Sequence, residues 1–249
     1  MRDVDRPKCR MRVHGRLARF VAWDRRDRSF ELAFDGTPAI KDPIESTGVP
    51  HTEVGGLLVD GASTTMAQRV RGGESVDVWP LDRQSAGTPP RFVLDVHLGR
   101  LASYLRLLGI DTAWRNDADD DALVATSNTE RRTLLTRDVA LLKQSDVDAG
   151  AFVYAMQPLE QLVEIEARFA LAPWFAALSR CSHCNSRVEP ADPEQLGDAV
   201  PPRARASATS FSRCTGCGRA YWLGSHAPRL FDRLARAGIH LPSIRTDDA

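Results

Sequence analysis

The sequence predicts a mixed α/β protein in three parts: a β-rich N-terminal segment, a central run of alternating strands and helices, and a cysteine-bearing C-terminal segment. Three observations predict it. In SFELAF (29–34) apolar residues alternate with polar or small ones, and a period of two suits a half-buried strand. From residue 91 to 175 short apolar runs alternate with stretches of helical periodicity, as in a parallel sheet covered by helices. Two CxxC pairs, Cys181–Cys184 and Cys214–Cys217, mark the third part.

Residues 10–83 make up the β-rich unit. RMRVHGRLARFV alternates in places and supplies a strand, and SFELAF supplies another. VGGLLVDG (54–61) is an apolar run closed by Asp-Gly, a hairpin turn signal. RVRGGESVDVWPL (69–81) places a Gly-Gly turn ahead of Val76 and Val78. A short helix is expected from Ile40 to Ser46, where Pro43 is tolerated only near the start. DRQSAGTPP (82–90) is small, polar and proline-rich, the composition of a linker.

In the central segment, 91–175, RFVL (91–94), RTLLT (132–136) and GAFVYAM (150–156) read as strands. HLGRLASYLRLLG (97–109) puts Leu98, Leu101, Ala102, Leu105 and Leu108 on one helical face, with Gly109 as its C-terminal cap. DDDALVATSNTE (119–130) is a helix opened by acids. DVALLKQS is a short helix, and PLEQLVEIEARFAL (158–171) an amphipathic one with proline in its first turn. Residues 176–238 carry the cysteines, a Pro/Arg/Ala/Ser-rich middle and a closing helix over 226–238.

Formal net charge is zero, so composition makes no global electrostatic case for nucleic acid or membrane. No run approaches the roughly 18 apolar residues of a membrane span. The N-terminal MRDVDRPKCRMRVHG lacks the apolar centre of a signal peptide. Cytoplasmic residence is expected. In a reducing compartment, two CxxC pairs and a lone Cys9 favour metal over disulfides.

A CxxC turn lets two sulfurs reach one tetrahedral ion, so Cys181, Cys184, Cys214 and Cys217 are expected to hold a structural zinc. Gly216 and Gly218 suit the second turn, and a loop absorbs the long interval over 185–213. The other reading is a redox CxxC or free thiols. His183 lies inside the first turn and is not counted as a ligand.

Acids occupy three further places. Asp95 follows RFVL, Asp117, Asp119, Asp120 and Asp121 crowd the start of a helix, and Asp138 follows RTLLT. In parallel α/β sheets ligands bind beyond the C-terminal strand ends. Clustered carboxylates suit Mg²⁺ or Mn²⁺, which can activate water and clamp a scissile phosphate. Equally, Asp is a common turn and N-cap residue, and Asp119 reads as a cap. Arg100 and Tyr104 share one side of their helix, a surface suited to RNA or simply to solvent.

The motifs LDVHLGRLASYLRLLGIDTAW, NDADDDAL, LLTRD, SRCSHCN and RCTGCGRAYWLGSHAPRL, in this order, resemble the Mut-seven C-terminal RNase family, a PIN-like domain with an appended zinc ribbon. The resemblance runs from Arg91 to Leu234. It implies a PIN-like α/β fold and a metal-dependent endoribonuclease. By motif, Asp95, Asp120 and Asp138 would be the Mg²⁺- or Mn²⁺-holding catalytic acids, with Asp119 a rival to Asp120. Arg100, Arg106 and Arg137 would hold phosphate, Arg106 and Arg137 serving equally as internal partners of the aspartates. Thr136 and Asn116 would orient water or a carboxylate. In the ribbon, Arg213, Arg219, Tyr221, Trp222 and His226 would offer charge and stacking, or, for the aromatics, a small core. After Thr-Arg-Asp the chain reads VALLK, with no acid until Asp146, where PIN domains often place a fourth.

EVGGLLVDG and RVRGGESVDVWPL resemble the ubiquitin-like sulfur carriers, which implies an N-terminal β-grasp domain and a possible protein partner. The chain runs on through Leu81, so sulfur transfer from a terminal Gly-Gly is not expected. The expected partner of the whole is RNA, with tRNA, rRNA and mRNA all open, and no membrane. The alternative is an RNA- or ribosome-binding adaptor without catalysis. A phosphatase with an aspartyl nucleophile is disfavoured because Val-His-Leu-Gly follows Asp95.

Overall fold

The computed structural model describes residues 6–82, 87–224 and 227–241. In chain order the elements are β1 (Lys8–Val13), β2 (Ser29–Ala33), α1 (Lys41–Ser46), β3 (Val54–Val59), β4 (Ala62–Ser63), β5 (Ser75–Pro80), β6 (Arg91–Leu94), α2 (Gly99–Leu107), β7 (Asp111–Trp114), α3 (Asp120–Glu130), β8 (Thr133–Thr136), α4 (Val139–Leu142), β9 (Gly150–Phe152) and α5 (Pro158–Phe169). The C-terminal part adds β10 (Val188–Pro190), α6 (Pro202–Ser207), β11 (Phe211–Cys214), β12 (Ala220–Trp222) and α7 (Ala227–Arg236). The chain divides into two compact units, Met1–Asp82 with Thr136–Phe152, and Arg83–Leu135 with Val153–Ala249.

In the first unit the strands form one sheet in the order β2-β1-β5-β3-β4. β1 runs parallel to β5 and antiparallel to β2. The alternation read in the sequence has its expected consequence: Cys9, Met11 and Val13 of β1 and Val76 and Val78 of β5 face a core completed by Ile40, just ahead of α1, and Ile44 within it. The Asp-Gly signal closes the β3–β4 hairpin, with Asp60 and Gly61 both at positive φ, 50° and 79°. This mixed sheet with a helix on one face is a ubiquitin-like domain.

The segment Thr136–Phe152 packs with this unit. Lys143 Nζ donates to the Glu45 carbonyl at 2.7 Å. The His51 ring pairs with Glu45 Oε1 at 2.7 Å and with the Val147 carbonyl at 3.2 Å. Glu53, with no exposed surface, accepts the Phe152 N–H at 2.6 Å and lies 3.7 Å from Arg16 Nε. A buried carboxylate needs such partners, because unpaired it is strongly destabilising.

In the second unit β7, β6 and β8 form a parallel sheet, β6 in the middle. Phe92, Val93 and Leu94 of β6 are all buried, as befits a strand covered on both faces. α2 packs against β7 and α5, and α3 against β6. β7 was not read from the sequence: DTAW is four residues long and opens on an acid. β9 is shorter than GAFVYAM suggested, ending at Phe152. The cysteine-rich part is a three-stranded antiparallel sheet, β10-β11-β12, followed by α7. Among the described residues no helix is long and apolar enough to cross a membrane.

Candidate functional site

Asp95 directly follows β6 and is only 9% exposed. Its N–H donates to the Leu135 carbonyl of β8 at 3.1 Å, and its own carbonyl accepts the Leu98 N–H at 2.9 Å. Adjacent strand and following turn therefore both fix its backbone. Asp119 is the N-cap of α3, its side chain accepting the Ala122 N–H at 2.8 Å, so helix capping accounts for it. Asp120 is the first residue of α3 and exposed.

In the first unit Asp138 caps α4. Its Oδ1 accepts the Ala140 and Leu141 N–H groups at 2.6 and 3.2 Å. Its own N–H donates to Oγ1 of the fully buried Thr136 at 2.9 Å. Threonine and aspartate together close the turn that starts α4. Asp138 thus follows the C-terminal end of β8, and Asp95 that of β6.

The arginines separate. Arg100 is exposed on α2 and, with Ser103, Tyr104, Leu107, Ser182 and Leu230, lines a groove of about 410 Å³. Arg233 of α7 donates to the Tyr104 hydroxyl and lies over its ring, 5.8 Å from the centroid. The Arg137 guanidinium lies 5.9 Å from the Phe152 ring centre, a cation–π distance. Asn116 is exposed.

Arg106 corrects the sequence expectation. It is 2% exposed and does not present itself to phosphate. Its guanidinium donates to the carbonyls of Thr112 at 2.8 Å, His183 at 2.7 Å, Ser182 at 3.2 Å and Trp114 at 3.3 Å. Nor does it pair with one of the candidate aspartates in these bonds. It ties α2 and β7 to the first cysteine turn.

The four cysteines meet as expected. Cys181, Cys184, Cys214 and Cys217 have their sulfurs within 4.8 Å of one another, the only such group of three or more His, Cys, Asp or Glu ligand atoms among the described residues. The Cys181–Cys217 and Cys184–Cys214 sulfurs are 3.7 and 3.3 Å apart. A tetrahedral zinc with bonds of about 2.3 Å needs sulfurs about 3.8 Å apart, whereas a disulfide closes to about 2 Å. Backbone N–H groups of Cys184, Gly216 and Cys217 point at sulfurs at 3.4 Å, as thiolates require. A side chain at Gly216 would meet Ser186 Oγ at 2.3 Å and Cys184 Sγ at 3.5 Å. The donor set fits zinc. Burial raises the Cys184 thiol, but hydrogen bonding with Ser186 outweighs it and brings it down to about 6, while burial pushes Cys214 up to about 11.

Tyr221 belongs to this centre, its hydroxyl 3.0 Å from Cys181 Sγ and 3.3 Å from Ser182 Oγ. Trp222 is 37% exposed. His226 lies outside the described residues.

Sequence reading missed Asp111. At the start of β7 it gathers Arg132 at 2.7 Å, Asn185 at 2.8 Å, Arg91 at 3.2 Å and Arg180 at 3.4 Å. Burial works to raise its pKa, but the hydrogen bonds of Arg132 and Asn185 and the charges of Arg132 and Arg180 win and hold it at about 2.

The family model described as Mut7-C RNAse domain matches residues 90–234. The one described as Mut7-C ubiquitin matches residues 6–86. No curated protein and no solved structure matches the chain. The first match covers more than half of the chain and contains the candidate acids Asp95, Asp119, Asp120 and Asp138 and the four clustered cysteines. The chain belongs to the Mut7-C RNase-domain family, with a Mut7-C ubiquitin-like domain ahead of the RNase domain.

Proposed function

We propose that the protein is a metal-dependent endoribonuclease whose Mg²⁺ or Mn²⁺ is held by Asp95, Asp120 and Asp138. The observation that carries this reading is the strand-end address of each acid, Asp95 just past β6 and Asp138 just past β8, in a chain of an RNase-domain family. The donor chemistry fits: carboxylate oxygens suit a hard divalent cation. When bound, such an ion supplies an acidified water and neutralises charge on the scissile phosphodiester.

The chain's own residues do the rest. The backbone of Asp95 is fixed on both sides, by β8 and by the turn to Leu98. Thr136 holds the Asp138 turn through the backbone N–H. By motif Asp120 is the acid of α3, and Asp119, the N-cap beside it, is its rival. Arg100, exposed, holds RNA phosphate, and Arg137, over Phe152, is a second candidate. The zinc centre is structural, since four thiolates fill a tetrahedral ion.

A second reading is an RNA-binding adaptor without catalysis, favoured by the lack of an acid between Asp138 and Asp146. Purified wild type, incubated with total tRNA and with an unstructured RNA under Mn²⁺, Mg²⁺ or EDTA, distinguishes them beside Asp138→Asn prepared identically. Cleavage that stops in EDTA and in a folded Asp138→Asn supports the nuclease. Binding of RNA by both proteins without cleavage supports the adaptor.

A further inference from the structure

A cavity of about 460 Å³ opens at the N-terminal ends of β6, β7 and β8, lined by their first residues Arg91, Asp111 and Thr133. Arg131, Arg180 and Trp174 complete its functional wall. It lies at the other end of β6 from Asp95, a distance of about 13 Å for a four-residue strand. Nothing in the nuclease reading uses it.

Its charge is unbalanced. Three arginines and one carboxylate line it, and Asp111 is already shared with the buried Arg132. Arg91 and Arg180 are held in ion pairs, but the two carboxylates involved, Asp111 and Glu130, are shared with Arg132, so the arginines outnumber them. Arg91 is fixed by Asp111 and the Glu130 carbonyl, at 3.2 and 2.9 Å, and lies 3.6 Å from the Glu130 carboxylate. Arg180 is fixed by the carbonyls of Gly109 and Asn185, at 3.1 and 3.0 Å, and lies 3.4 Å from Asp111. A guanidinium has five N–H donors, so each keeps donors for a ligand while its fork is already oriented. Arg131 is exposed, and its side chain has no partner among the described residues. Trp174, on the turn Ala172–Trp174, offers a partly exposed indole beside these cations. Preset cations next to an aromatic face match a phosphate joined to a planar base.

We propose that this cavity is a nucleotide-binding site. It takes the phosphate monoester of a nucleotide among Arg91, Arg131 and Arg180 and stacks the base on Trp174. The nucleotide is either free or the 5′-phosphorylated end of an RNA. The site does not depend on the endonuclease reading.

Calorimetric titration of the full chain with AMP, with inorganic phosphate and with 5′-phosphorylated and 5′-hydroxyl hexanucleotides, without added divalent ions, tests it. Arg131→Gly is the variant of choice, because Arg131 sits at a φ of 52°, where glycine is at ease and the fold is kept. The expected result is AMP binding that weakens about tenfold in Arg131→Gly and exceeds binding of inorganic phosphate in wild type but not in Trp174→Leu. Competition by the 5′-phosphorylated but not the 5′-hydroxyl oligonucleotide identifies an RNA end as the source, and failure of both to compete identifies a free nucleotide. Absence of binding by AMP and by the 5′-phosphorylated RNA overturns the proposal. So does equal affinity in folded Arg131→Gly.

Discussion

Replacing Arg106 by methionine separates a structural from a substrate role for that arginine. The structure gives it two short bonds, to Thr112 at 2.8 Å and His183 at 2.7 Å, and two longer ones. A bond from a charged donor contributes about 1.5–3 kcal/mol, so the short pair alone contributes about 3–6 kcal/mol. Methionine has similar length and no charge to bury, which returns part of that through the removed desolvation cost. The net expectation is a loss of about 3 kcal/mol. Because two of the carbonyls belong to Ser182 and His183, inside the first CxxC turn, zinc affinity should also fall by about 10–100-fold, as for other supports of metal ligands. Urea unfolding and zinc release to a competing chelator, on the same sample, read both. Arg106→Lys should recover only part, since one ammonium cannot replace a planar fork. The reasoning fails if Arg106→Met keeps its stability and its zinc yet binds RNA more weakly.

Other expectations follow from the same contacts. Glu53→Ala should cost about 3 kcal/mol, because it strips the acceptor from the Phe152 N–H and the buried one of Arg16's two carboxylate partners, and faster hydrogen exchange over 137–152 would register it. Asp111 contributes through ionisation: its folded pKa of about 2 lies below the ordinary 3.8. That stability, about 2 kcal/mol, is present above pH 3.8 and disappears as pH falls toward 2; urea midpoints of wild type and Asp111→Asn should therefore converge over that window. Asp119→Ala should lower stability by about 1 kcal/mol through loss of the α3 cap while leaving cleavage intact, whereas Asp120→Ala should do the reverse.

Local chemistry made much of this legible. Four cysteines at CxxC spacing specify their own meeting place, and the leucine period of α2 specifies its buried side. The Asp-Gly hairpin and the Asp119 cap are read from a few adjacent residues. What stayed hidden was non-local. β7 is only four residues long, and what defines it is pairing with β6. Arg106 looks like any helix-surface cation until Thr112 and His183 are seen around it. Asp111 draws partners from β6, from Arg132 just ahead of β8, and from the ribbon side of the chain, including Arg180 and Asn185. Glu53 sits in a short turn whose burial depends on a segment almost a hundred residues later. Arginine and aspartate carry no local signal that tells a brace from a ligand.

The central claim is that Asp95 and Asp138 serve one cation. Single-turnover cleavage of a labelled RNA in Mn²⁺, by wild type, Asp95→Asn, Asp138→Asn and the double variant, tests it most directly, with folding confirmed by circular dichroism. Groups acting as one unit are strongly non-additive. Each single change should lower the rate by about a thousandfold or more, and the double change should add little. Rates that fall multiplicatively, or a single variant that cleaves like wild type, would contradict it.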